Sequence, residues 1–114
     1  MRTEMGPGGR QNYMNKLAYF HKKGSKRERQ ERGAAYWERK SSEDGGLFAL
    51  HRYAKVGSYV EVHNPMSRVT LYLKVIGKMP ASAHDPETVV VVSPRAAKLL
   101  NGLDRRFYVK VKYY

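Results

Sequence analysis

The sequence predicts a small, mostly β barrel with one short helix, preceded by a basic N-terminal extension. Three observations carry that expectation. Ser58–His63 and Arg68–Ile76 alternate apolar and polar residues with period two, the pattern of strands that bury one face. Thr88–Val92 is a β-branched run suited to a fully buried strand. Charge is concentrated at the start: residues 1–32 hold nine Lys/Arg against three Asp/Glu, whereas residues 33–114 hold thirteen against seven.

The elements follow in order. Met1–Gln11 is Gly-rich and polar and is expected to lack regular structure. Asn12–Lys22 can form a short helix ending at Gly24, with Tyr13, Leu17 and Phe20 at i, i+4 and i+7 on one face. So short a helix is marginal alone and needs a surface to pack on. The run Lys22–Arg32 is a solvated charged linker, or alternatively an electrostatic anchor. The barrel domain is expected to span residues 33–114, opening with the strand Gly33–Glu38 and a polar loop. Leu47–Leu50 is a short apolar segment.

In Ser58–His63, Val60 and Val62 oppose Tyr59, Glu61 and His63; in the next strand Val69, Leu71, Leu73 and Val75 share the inner face. Asn64-Pro65 makes the turn between them. Ser93 is placed as an N-cap with Pro94 at the first helical position, and Asn101-Gly102 stops that helix, with Ala96, Ala97 and Leu100 facing the core. The last strand sets Phe107, Val109 and Val111 against Tyr108, Lys110 and Lys112. The sum is five or six short strands and one short helix, a barrel architecture.

Composition narrows the chemistry. The chain has 114 residues, enough for one small domain, and no cysteine for a disulfide or a thiolate metal site. His21, His51, His63 and His84 lack metal-ligand spacing, so no metal and no cofactor is expected. No run approaches the roughly 18 apolar residues of a membrane span. The polar N-terminus is not a signal peptide, which keeps the cytoplasm open as a location. A net charge of +12 calls for an anionic partner or surface.

Four stretches carry a resemblance. Gly33–Glu38 (GAAYWE) is similar to an opening Gly-x-Ala-x-Trp/Tyr-Tyr strand. Phe48–Pro65 resembles Ala-His-(Lys/Arg)-x-x-x-x-Gly-(Thr/Ser)-x-Val-x-Val-x-Asn, Leu71–Pro80 resembles Val-x-Val-Asn-Asp-Arg-Gly-Pro, and Val90–Leu100 resembles Ile-Asp-Leu-Ser-x-Ala-Ala-Ala-x-x-Leu. In this order they resemble the six-stranded double-psi β-barrel of the rare lipoprotein A family, related to the expansin catalytic domain. The wording is closest to a divergent form in Bacteroidetes envelope proteins.

The resemblance implies a peptidoglycan-cleaving fold in which a histidine and an aspartate cooperate in lytic transglycosylation. It also implies a periplasmic or cell-envelope location. His51 matches the histidine; the aspartate positions fall at Gly77 and Val91. Breaking a glycosidic bond needs a proton donor for the leaving oxygen and a carboxylate near the anomeric carbon, and neither glycine nor valine supplies one. Glu61 and Asp85 are the acids that could substitute.

The leading expectation is therefore a non-catalytic envelope module that binds peptidoglycan glycan or scaffolds an envelope protein complex. His51, Tyr36, Trp37, Tyr53 and Lys78 are its candidate ligand-binding residues. Tyr13, Leu17, Phe20, Lys22, Lys23, Lys26 and Arg27 are its candidate partner-binding residues. Each has a plainer alternative: His51 as a surface or capping residue, the aromatics as core or rim packing, and Lys74, Lys110 and Lys112 as solvated strand faces. Two other functions compete. A basic tail with interleaved Tyr13, Tyr19 and Phe20 suits nucleic acid, and the surviving histidine suits a weak lytic transglycosylase.

Overall fold

A computed structural model describes residues 8–21, 27–37, 46–79 and 85–114. Its elements in chain order are α1 (Gly9–His21), β1 (Arg29–Tyr36), β2 (Phe48–His51), β3 (Tyr59–Asn64), β4 (Val69–Lys78), β5 (Thr88–Val92), α2 (Pro94–Leu99) and β6 (Arg106–Tyr113). The six strands close into a barrel in the order β1-β5-β2-β4-β3-β6. This is the small, mostly β barrel that the period-two patterns predict.

The cyclic order has an internal symmetry. Advancing every strand by three positions, β1 to β4, β2 to β5 and β3 to β6, returns the same ring. The parallel pair β1/β5 maps onto the parallel pair β2/β4, and each carries a register shift, between Ala34 and Ala35 and between Ala49 and Leu50. The antiparallel pair β1/β6 maps likewise onto β3/β4.

Alternation places the core as expected. Val60, Val62, Leu71, Leu73, Val75, Val90, Val109 and Val111 are fully buried inside the ring. The β1/β5 seam needs Gly33: a Cβ there would lie 2.5 Å from the Glu87 carbonyl oxygen, which accepts from the Ala34 N–H at 2.8 Å.

The α2 cap follows the sequence reading. Ser93 Oγ accepts from the Ala96 N–H, and Ala96, Ala97 and Leu100 are buried. Asn101 takes φ 62° just beyond the helix. The Asn101 N–H donates to Lys98 O and the Gly102 N–H to Ala97 O, the paired bonds of a Schellman ending. The Asn64 turn is tied to this end, since Asn64 Nδ2 and Ser67 Oγ both donate to Leu100 O at 2.8 Å.

Two expectations require correction. The first strand begins at Arg29 rather than Gly33, because β6 pairs with it residue by residue from Arg29↔Tyr113 to Tyr36↔Arg106. Part of the stretch expected to be irregular is helical, since α1 starts at Gly9.

Tyr13, Leu17 and Phe20, the apolar face of α1, lie outward, and Asn12, Asn15 and Tyr19 meet the barrel. The reason is a gap in hydrogen bonding. Pairing of β2 with β4 begins at Phe48↔Lys74, so Tyr72 precedes the start of that ladder. Asn12 Oδ1 accepts from the Tyr72 N–H at 2.7 Å, and Asn15 Nδ2 donates to Tyr72 O at 2.8 Å. Gln11 Oε1 accepts from the Leu47 N–H in the same way. A buried polar backbone group left unmet costs about 1–3 kcal/mol, enough to decide which side of a short helix faces in. Tyr19 completes the contact, with its ring 5.3 Å from that of Tyr72 and its hydroxyl 2.6 Å from Glu28.

Candidate functional site

His51 is the last residue of β2 and is wholly buried. Its Nδ1 accepts from the N–H groups of Tyr53 (3.1 Å) and Ala54 (2.9 Å). An atom that accepts from two amides carries no proton, so the ring proton sits on Nε2. Nε2–H then donates to Glu31 Oε1 at 2.8 Å. Both nitrogens are engaged, and the Tyr113 ring lies 4.5 Å away. The same turn is held by a second side chain: Lys78 Nζ donates to the carbonyls of Tyr53 and Ala54 at 3.1 and 2.9 Å.

The expected acids do not surround this histidine. Gly77 and Val91 lie opposite Leu50, one in each neighbouring strand. Glu61 belongs to β3, where it accepts from the Tyr72 hydroxyl and lies 3.9 Å from Lys112 Nζ. Asp85 is clasped by Arg106 at 2.7 and 3.0 Å and accepts from the Glu87 and Thr88 N–H groups. That hydrogen bonding, led by Arg106, lowers the Asp85 pKa to about 2.

The carboxylate that does meet His51, Glu31, was missed, because residues up to 32 were assigned to the extension. A signal was present. Continuing the strand back from Ala35 with period two gives Gly33 and then Glu31 the core-facing parity.

The five ligand-binding candidates separate into two groups. Tyr53 is exposed and stands edge-on to His51, with ring centroids 6.1 Å apart, and Lys78, the last residue of β4, reaches the same turn. An open groove of about 390 Å³ lined by Arg29, Tyr53, Tyr113 and Tyr114 marks this end. Burial, helped by the Glu31 charge, raises the pKa of the Tyr113 hydroxyl. Tyr36 and Trp37 are at the other end of β1. From Glu31 to Trp37 a strand covers ~20 Å at its usual rise, so the two groups do not form one site.

Trp37 lines the larger cleft, about 630 Å³, with Arg95 and Lys98 of α2 and with Asn101 and Leu103 beyond it. Its indole Nε1 donates to Asp104 O at 2.9 Å and its backbone N–H to Arg105 O, fixing the ring at the cleft wall. Arg95, Lys98, Asn101 and Leu103 are exposed. A flat indole face beside two cations can stack a ring and neutralise a carboxylate or phosphate. Arg95 and Lys98 carry little signal in the sequence, being ordinary exposed positions of a short helix.

The partner-binding candidates Tyr13, Leu17, Phe20 and Arg27 are exposed. Lys22, Lys23 and Lys26 lie outside the described residues, as does His84. Lys74 and Lys110 are exposed on strands. Among the described residues, no three His, Cys, Asp or Glu side chains gather as a metal site would require, and no helix is long and apolar enough to cross a membrane. No protein-family model matches this chain, and no curated protein matches it.

Proposed function

We propose that this chain is a non-catalytic cell-envelope module of the rare lipoprotein A type, a double-psi barrel that holds peptidoglycan glycan rather than cutting it. The observation that carries the proposal is the closed shell of His51. A general acid or base must offer a nitrogen to substrate. Here Nδ1 serves two backbone amides, Nε2 serves Glu31, and no part of the ring reaches solvent. The threefold shift that leaves the strand order unchanged, with two equivalent parallel pairs, supports the double-psi connectivity.

The Trp37 cleft is the proposed glycan seat. Its indole offers a face for a sugar ring, and Arg95 and Lys98 offer charge for the carboxylates that peptidoglycan carries. The test is incubation with purified sacculi, scoring both co-sedimentation and soluble anhydro-muropeptides. Co-sedimentation without release is expected, weakened by Trp37→Ala and unchanged by His51→Asn. Release of anhydro-muropeptides would revive the transglycosylase. No co-sedimentation, or displacement by RNA but not by soluble glycan, would remove the glycan reading.

A further inference from the structure

We infer that the outer face of α1 is an interfacial docking surface for an anionic lipid bilayer. The inference is independent of the glycan proposal and uses the opposite side of the molecule's only long helix among the described residues. Tyr13, Met14 and Leu17 are 45%, 54% and 47% exposed, and Phe20, which leans on the Tyr19 and Tyr72 rings, still shows 42%. At about 100° per residue these four occupy an arc of roughly 120°, centred opposite the arc of Asn12, Asn15 and Tyr19. The helix is thus polar where it meets the protein and apolar where it meets water. That polarity is the reverse of an ordinary surface helix.

The inverted polarity is held in place. The inward asparagines are bound to both backbone groups of Tyr72, and Gln11 is bound to Leu47. Rolling the helix to hide Tyr13, Met14 and Leu17 would break all three hydrogen bonds. The apolar stripe is consequently presented on a rigid support.

Charge identifies the occupant. From Arg10 to Arg27 the sequence has six Lys/Arg and no Asp/Glu. Arg10 and Lys16 stand on the helix itself, both exposed. An apolar stripe with Arg10 set between Leu17 and Met14, Lys16 on its Phe20 flank and no acid anywhere on the helix fits the boundary between acyl chains and anionic headgroups. Leu17 at its centre and Met14 at its edge, both flexible and non-aromatic, fit hydrocarbon better than stacked bases. At 13 residues the helix is ~20 Å long, so it lies on a bilayer and does not cross one.

The experiment is flotation of the full chain with phosphatidylcholine vesicles, with and without phosphatidylglycerol. The parent and two double variants, Met14→Gln/Leu17→Gln and Arg10→Gln/Lys16→Gln, are compared, and far-ultraviolet circular dichroism verifies that each is folded. All four side chains point away from the barrel, so the fold is expected to persist. The parent should bind phosphatidylglycerol vesicles at least about tenfold more tightly than neutral ones. The uncharged Met14→Gln/Leu17→Gln pair should lose at least about tenfold while keeping every cation. The Arg10→Gln/Lys16→Gln pair should lose most of the preference for phosphatidylglycerol.

Equal binding by parent and Met14→Gln/Leu17→Gln would overturn the inference, because the basic run alone would then suffice. So would equal binding to both kinds of vesicle. Two further results would reassign the face: capture of a single-stranded oligonucleotide that the Met14→Gln/Leu17→Gln pair loses, with no vesicle binding, or a dimer in sedimentation that this pair dissolves, again with no vesicle binding.

Discussion

Replacing His51 separates a structural histidine from a catalytic one. His51→Ala removes the acceptor for the Tyr53 and Ala54 amides and the donor for Glu31, a carboxylate whose side chain is only 20% exposed. Each buried group stranded in this way costs about 1–3 kcal/mol, and the missing ring leaves a void. With the part-buried Tyr53 amide and the partly exposed Glu31 taken at the low end of that range, a total of about 3–5 kcal/mol follows, a large share of the roughly 5–15 kcal/mol that holds a domain of this size. His51→Asn can place Oδ1 where Nδ1 was. It keeps the two amide bonds and gives up only the reach to Glu31, so about half the loss is expected. Trp37 is the sole tryptophan and sits ~20 Å along β1 from Glu31. Urea unfolding followed by its fluorescence therefore reports global stability rather than a local change at residue 51. An Ala variant within about 0.5 kcal/mol of the parent, the usual range for uninvolved surface positions, would refute the argument. Equal losses for Ala and Asn would refute the assigned role of Nδ1.

Three other outcomes are expected. Asn12 accepts and Asn15 donates. Asn12→Asp should therefore be tolerated, while Asn15→Asp sets a carboxylate against the Tyr72 carbonyl and should cost about 1–3 kcal/mol more in urea unfolding; equal effects would reverse that assignment. Burial first, and then the hydrogen bond to Glu28 for Tyr19 and the charge of Glu61 for Tyr72, raises both phenols above their ordinary value of 10.0. Their contribution is complete below that pH and is lost as pH rises further, because the unfolded chain ionises first. Phenolate absorbance should show a late-ionising fraction that shrinks in Tyr19→Phe. Asp85, with its pKa lowered to about 2, contributes stability that is present above the ordinary carboxylate range and lost as pH falls toward 2. Carboxyl chemical shifts should show its midpoint rising in Arg106→Gln, and an unmoved midpoint would deny Arg106 the leading part.

The strands were legible because period-two alternation is a local signal, and Leu71, Leu73 and Val75 obey it whatever surrounds them. The α2 ending was legible for the same reason, since Ser93, Pro94, Asn101 and Gly102 act within a few residues of themselves. The Glu31–His51 contact was not. Its partners are twenty residues apart on strands that are not neighbours in the ring, β5 lying between them. The orientation of α1 was not legible, since Tyr13, Leu17 and Phe20 define one face while Asn12, Asn15 and Tyr19, at i, i+3 and i+7, define another. What decided between the two faces was the open start of the β2/β4 ladder, and nothing in the helix sequence reveals where a distant strand begins.

A buried histidine whose neighbouring strands carry Gly77 and Val91 rather than acids needs a reason to be there, and the turn after β2 supplies one. β2 has four residues, after which the chain must leave the ring at once. That departure leaves the N–H and C=O groups of Tyr53 and Ala54 without a strand to pair with. His51 takes both N–H groups and Lys78 takes both carbonyls. Glu31 then fastens the imidazole to β1, a strand that β2 does not touch directly. The three side chains thus tie β1 to an end of the barrel where backbone pairing already joins β2 and β4 at His51↔Lys78. Holding an imidazole by one nitrogen while a carboxylate orients the other is also how a catalytic histidine is fixed. The difference is that here neither nitrogen is left for a substrate. The two roles require the same rigidity, so a rigidly held histidine is not by itself a sign of catalysis. On this argument Lys78→Met should weaken the barrel together with His51→Ala by less than the sum of the two single losses, since both secure one turn. Strict additivity in urea unfolding would mean that the two side chains act on separate structures and that the turn is not the shared object they hold.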